Sequence, residues 1–136
     1  MRNSNVAAQR REIRIASLNP PVSHYTDAVQ FGNLLFISGL APLDAAGNLV
    51  GGDDPAAQTR KIFESMALIL AEAGAGFSDV LRVTVYLTDI DDRPKINPVR
   101  QEFFGETRPA STLVEVSALV VPGMRVEIEA VAGLPE

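Results

Sequence analysis

The chain has no cysteine and a single histidine, His24. The first absence excludes disulfides, thiolate metal sites and cysteine nucleophiles, and a lone imidazole cannot build a nitrogen-ligated zinc site. No metal or other cofactor is expected. Chemistry falls to carboxylates, hydroxyls, arginines, lysines, backbone groups and His24. Tryptophan is missing and aromatic residues make up only 6% of the chain, which leaves few platforms for stacking bases. Positive charge is also short: 12 lysines and arginines against 17 acidic residues give a net charge of −5, and the one local basic cluster lies within Arg2–Arg14. A surface of this average sign repels phosphate backbones, so nucleic acid is not expected as a partner. No stretch approaches the ~18 apolar residues of a membrane span, and residues 1–14 are polar and arginine-bearing without the apolar run of a secretion signal. The expected setting is the cytoplasm, with no membrane partner.

What is present describes an ordinary folded domain. Hydrophobic residues are 46% and charged residues 21% of 136, enough apolar surface for one core. Residues 1–11 lack periodicity and read as a flexible arm; residues 12–136 read as a single domain. Glu12–Ala16 alternates like a short strand. Tyr25–Phe31, the turn Gly32-Asn33 and Leu34–Ser38 make a hairpin whose second strand is apolar enough to be buried on both faces. Asp54-Pro55 caps a helix whose inner stripe runs through Ile62, Phe63, Met66, Leu70 and Ala73, with Ala67 and Ile69 beside it, until Gly74. Val80–Leu87 reads as a central strand. Asn97-Pro98 repeats the cap-then-proline arrangement and predicts a second helix from Pro98, ending in an inward-facing Phe103-Phe104. Thr112–Val116 and Arg125–Val131 are two further strands, joined through a turn at Pro122-Gly123.

This order predicts an α+β fold, a mixed sheet of about six strands packed on one face by two helices. The chain has no element left to cover the other face, so association through the sheet is expected.

Two segments carry a resemblance. Pro109-Ala110-Ser111-Thr112-Leu113-Val114-Glu115-Val116, followed by Val126-Glu127-Ile128-Glu129-Ala130-Val131-Ala132, is similar to the C-terminal signature of the Rid (reactive-intermediate deaminase) family, also called the YjgF or endoribonuclease L-PSP family. Tyr25, Gly32-Asn33, Ser38-Gly39, Ala57–Arg60, Ala73–Ala75, Val83–Tyr86, Asn97 and Phe103-Phe104 match in the same order, so the resemblance spans roughly Tyr25 to Ala132. It implies a chorismate-mutase-like fold, a homotrimer with a barrel-like centre, and ligand sites in clefts between subunits. It also implies hydrolysis of enamines or imines such as 2-aminoacrylate, with an arginine gripping the substrate carboxylate. In this chain the matching position is Ser111, a neutral group that cannot make two parallel charged hydrogen bonds.

The resemblance makes Glu127 the candidate catalytic residue, holding water or relaying a proton; the alternative is a strand carboxylate facing solvent beside Arg125 and Glu129. Tyr25, Ser38, Gly39, Ser111 and Thr112 are the candidate substrate-binding residues. Each has a structural alternative: Tyr25 as packing beside the hairpin, Ser38-Gly39 as a strand end, Ser111 and Thr112 as strand formers. His24 could move protons or be an incidental loop residue. Arg108, Arg125 or an arginine of a neighbouring subunit could replace the missing arginine, and Asn97 reads as a helix cap.

Three functions follow. The first is a hydrolase acting on an enamine, an imine or a related small metabolite, with altered substrate preference. The second is a non-catalytic trimer that binds a small metabolite in the same clefts. Ribonuclease action or translation inhibition is the third, and the acidity and scarce aromatics weigh against it.

Overall fold

A computed structural model describes residues 8–135. The expected arm over 1–11 falls mostly outside them. Six strands and two helices follow in the order β1 (Arg10–Ile13), β2 (Ala28–Phe31), β3 (Leu34–Leu40), α1 (Pro55–Glu72), β4 (Val80–Leu87), α2 (Arg93–Phe104), β5 (Ala110–Glu115) and β6 (Val126–Gly133). The six strands form one mixed sheet in the order β1-β2-β3-β6-β4-β5. Only β4 and β5 run parallel, joined through α2; the other neighbours are antiparallel. This is the α+β architecture that the sequence order predicts.

Helix α1 begins as its cap requires. The Asp54 side chain accepts the Ala56 N–H at 2.9 Å and Pro55 takes the first helical position, where a missing N–H costs nothing. Its inner stripe of Ile62, Phe63, Met66, Ile69 and Leu70 is buried against the sheet. Phe63 meets Phe77, Phe103 and Phe104 with ring centroids 5.3–5.8 Å apart, which locks α2 onto α1.

Helix α2 departs from the sequence expectation. It starts at Arg93, so Pro98 lies inside it and Asn97 is not its cap. The entry is made earlier, where the Asp89 side chain accepts the Asp91 N–H at 2.9 Å and a 3₁₀ turn, Ile90–Asp92, leads straight into the helix. An interior proline forfeits one helical hydrogen bond; burial of Ile96, Val99 and Phe104 offsets that loss.

The sheet's two faces differ. Towards the helices, Leu35, Ile37, Val83, Val85, Ile128 and Ala130 are buried. Away from them, Phe31, Leu34, Phe36, Leu81 and Val114 remain exposed, Phe36 by 47%. Strand β3 is thus buried on one face only within a single chain, not on both as its composition suggests.

Candidate functional site

The site is built on an irregularity in β3. Ile37 pairs with Ala130 and Leu40 with Ile128, so Ser38 and Gly39 together oppose the single residue Glu129. This is a β-bulge, which bends a strand and redirects its side chains. The next open-face residue of β6, Glu127, lies against it: a Cβ on residue 39 would sit 2.7 Å from the Glu127 Oε2. Only glycine leaves that space to the carboxylate.

Glu127, Gly39, Ser38, Tyr25, Val22, Ser23 and Val120 line one hollow of about 330 Å³. Burial raises the Glu127 pKa above its ordinary 4.5, and the neighbouring charge of Glu129 pushes the same way. The Ser38 hydroxyl donates to the Thr26 carbonyl at 2.5 Å, so towards the hollow it offers a lone pair and no proton. The Tyr25 hydroxyl accepts the Val22 N–H at 3.3 Å, which leaves its own proton free to donate. The wall carrying Tyr25 is tied down from behind. Arg14 donates to the buried Asp27 at 2.8 Å and to the Leu18 and Asn19 carbonyls at 3.0 Å. Asp27 also accepts the Ile15 N–H at 2.8 Å. His24 lines an adjoining hollow with Arg10, Glu12 and Tyr25.

Ser111 and Thr112 lie elsewhere. They sit on the edge strand β5, separated from β6 by β4. The register pairs Ser111 with the buried Val83 and Thr112 with Thr84, so Ser111 faces the helices whereas Glu127, paired with Tyr86, faces away from them. Within one chain the two therefore lie on opposite faces of the sheet with a strand between them. Thr112 accepts from Arg82 at 2.8 Å on the open face.

Of the cations proposed to replace the arginine, Arg125 is already committed. Its Nε and Nη2 grip both oxygens of the fully buried Asp92 at 2.9 and 3.0 Å, and Nη1 reaches Asp53 at 2.9 Å. These bonds raise its pKa, Asp92 foremost. Arg125 therefore anchors the entry to β6 and is not available to a ligand. Arg108 is exposed on the approach to β5 and makes no hydrogen bond or ion pair among the described residues.

The cation that does reach Ser111 is Arg100 of α2, whose Nη2 donates to the Ser111 hydroxyl at 2.9 Å. The sequence carried a signal for it. With a helix starting at Arg93, Arg100 falls four residues after Ile96 and four before Phe104, a charge on the apolar stripe. Starting the helix at Pro98 hides that phase. Among the described residues, no three acidic or histidine side chains are grouped to hold a metal ion, and no helix is long and apolar enough to cross a membrane.

Residues 16–134 match the family described as Endoribonuclease L-PSP. A RutC family protein of Pyrococcus abyssi is 43% identical over 113 residues, 82% of this chain and 87% of that protein. The 3-aminoacrylate deaminase RutC of Acinetobacter baylyi is 41% identical over 113 residues, 83% and 89% of the two chains. Among solved structures, a member of the conserved Rid protein family from Yersinia pestis superimposes with a TM-score of 0.86 at 30% identity, covering 93% of this chain and all of that one. With a bulged β3 that seats a glutamate, the same six-stranded fold and these relatives over most of its length, the chain belongs to the Rid family.

Proposed function

We propose that this protein is a deaminase of a small enamine or imine, working in clefts between the subunits of a homotrimer. The observation that carries the reading is the Glu127 carboxyl seated on the Gly39 backbone, half-buried and with a raised pKa, facing Tyr25 and Ser38. A carboxyl held there exchanges protons more evenly with a substrate than one in open water does. It gives a proton to the enamine carbon, leaving the nitrogen as an iminium and Glu127 as a carboxylate. Water then adds to the C=N carbon; one of its protons passes to nitrogen and the other returns to Glu127 as the C–N bond breaks, and ammonia leaves with a carbonyl compound. One water is consumed, and Glu127 ends as it began. The Acinetobacter relative named as a 3-aminoacrylate deaminase supports this class of substrate.

The exposed apolar residues of the open face, Phe31, Leu34, Phe36, Leu81 and Val114, support assembly through that face. Light scattering should give about three times the 14.6 kDa of one chain. The reaction is tested by generating short-chain imines in situ and measuring ammonia. Release by the wild type that vanishes in Glu127→Gln is the expected result, and an unchanged rate in that variant sinks the mechanism. A wild type that binds such compounds saturably and turns over none of them selects the binding-trimer reading, which the neutral Ser111 motivates.

A further inference from the structure

Arg100 is distinctive among the arginines of this chain. It is half-buried beneath the sheet edge, its one recorded partner is the neutral Ser111 hydroxyl at 2.9 Å, and it forms no ion pair among the described residues. Arg14, Arg60 and Arg125, by contrast, each hold a carboxylate. Burial lowers the Arg100 pKa, the direction of a cation that has lost water and gained no counter-ion. A desolvated guanidinium without an anion is costly to maintain, and its cost falls when an anion arrives.

Its geometry suits that arrival. Of its five N–H donors, one is spent on Ser111. That bond holds the planar fork at the β5 edge while the remaining donors stay available for two parallel bonds to a carboxylate. We propose that Arg100 is the carboxylate clamp of this protein, carried on helix α2, with Ser111 as the residue that orients it. This rests on the deaminase reading and adds that the substrate is an enamine or imine bearing a carboxylate.

The decisive measurement is equilibrium binding of pyruvate, the smallest 2-oxo acid, by titration calorimetry. It is made on the wild type, Arg100→Met, Arg100→Met combined with Ser111→Arg, and Arg108→Met. Circular dichroism and light scattering confirm that each variant is folded and assembled. Arg100→Met should weaken binding on the order of 100-fold, as loss of a charge-assisted bidentate pair does, and Ser111→Arg added to it should restore at least about tenfold by returning a guanidinium from the strand side. On turnover, Arg100→Met should depress kcat/KM for 2-iminopropanoate by a similar factor and that for its neutral amide by no more than about threefold. Pyruvate binding that is absent from the wild type, unchanged in Arg100→Met, or lost only in Arg108→Met overturns the clamp. Binding that depends on Arg100 in a protein that turns over neither imine leaves the clamp standing and removes the deaminase reading.

Discussion

The Glu127 carboxylate occupies the volume that a side chain on residue 39 would need, with Oε2 at 2.7 Å from the place of a Cβ. The glycine is not there for its backbone, because its φ lies outside the positive range that strains other residues. A methyl group on residue 39 therefore acts through contact alone. Gly39→Ala should swing Glu127 out of the hollow and lower kcat roughly 10- to 100-fold, the loss expected when a proton-transfer group is misplaced. The thermal midpoint should barely move, since the displaced carboxyl gains water. A variant that keeps full kcat would mean that the seat of Glu127 is irrelevant to turnover.

Because Glu127 acts first as a proton donor, kcat for an enamine should fall as pH rises through its pKa, and since burial and then the Glu129 charge raise that pKa, this limb should lie above the ordinary carboxylate value of 4.5. Glu129 accepts the Tyr86 hydroxyl at 2.7 Å, a bond that fixes its side chain on the open face and raises the Tyr86 pKa. Glu129→Gln should move that limb to lower pH without returning it to 4.5, since burial, the larger cause, remains. The stability sign follows from the same shift. A carboxyl whose folded pKa is raised favours the fold below its unfolded pKa, and that contribution is lost as pH rises through the folded value. Glu127→Gln should thus leave stability unchanged at low pH and increase it modestly above the folded pKa. Urea midpoints at several pH values check the sign.

Asp92 is fully buried, and the Arg125 fork satisfies both its oxygens; Lys95 adds a weaker contact at 3.4 Å. Arg125→Met leaves that carboxylate without its main partner, whereas the bonds Gln58 makes to the backbone N–H of residue 125 and to the Gly123 carbonyl remain. A loss of about 2–4 kcal/mol in unfolding free energy is expected, with Arg125→Lys recovering only part because an ammonium cannot span both oxygens. Equal losses of kcat/KM on charged and neutral substrates should accompany it. A selective loss on the charged substrate would return Arg125 to the candidates for the clamp.

How far the sequence reached can be read at individual residues. Asp54-Pro55 announced α1 because the cap and the proline act locally, and the apolar run Val80–Leu87 coincided with β4 at both ends. Tyr25, Ser38, Gly39 and Glu127 follow from the family resemblance, and they line one hollow, the bulge setting Ser38 and Gly39 beside Glu127. What was hidden depends on contacts distant in sequence. Pro98 looked like a helix start because the burial of Ile96 and Val99, which holds a helix around an interior proline, is a tertiary effect. Arg125 looked available in the alternation of β6, yet Asp92, 33 residues away, takes it. Arg100 carried no local motif beyond its helical phase, and only the β5 register sets Ser111 before it.

That register has a consequence for catalysis that mixing experiments can reach. Ser111, and with it Arg100, lies on the helix side of the sheet edge, whereas Glu127 lies on the open face with β4 between their strands. If the two act on one substrate, they come from neighbouring copies of the chain. Glu127→Gln and Arg100→Met are each expected to be nearly inactive towards 2-iminopropanoate. When the two are unfolded together in equal amounts and reassembled, a site takes Glu127 from an Arg100→Met chain and Arg100 from a Glu127→Gln chain with a chance of about one in four, given a cyclic assembly with random order. Activity should then recover to roughly a quarter of the wild-type level and should fall if either variant is in excess. Recovery cannot occur if both groups of a site belong to the same chain, because every chain in the mixture lacks one of them. Ammonia release from the mixture, compared with the two variants reassembled separately, decides between a shared cleft and a site contained in one subunit.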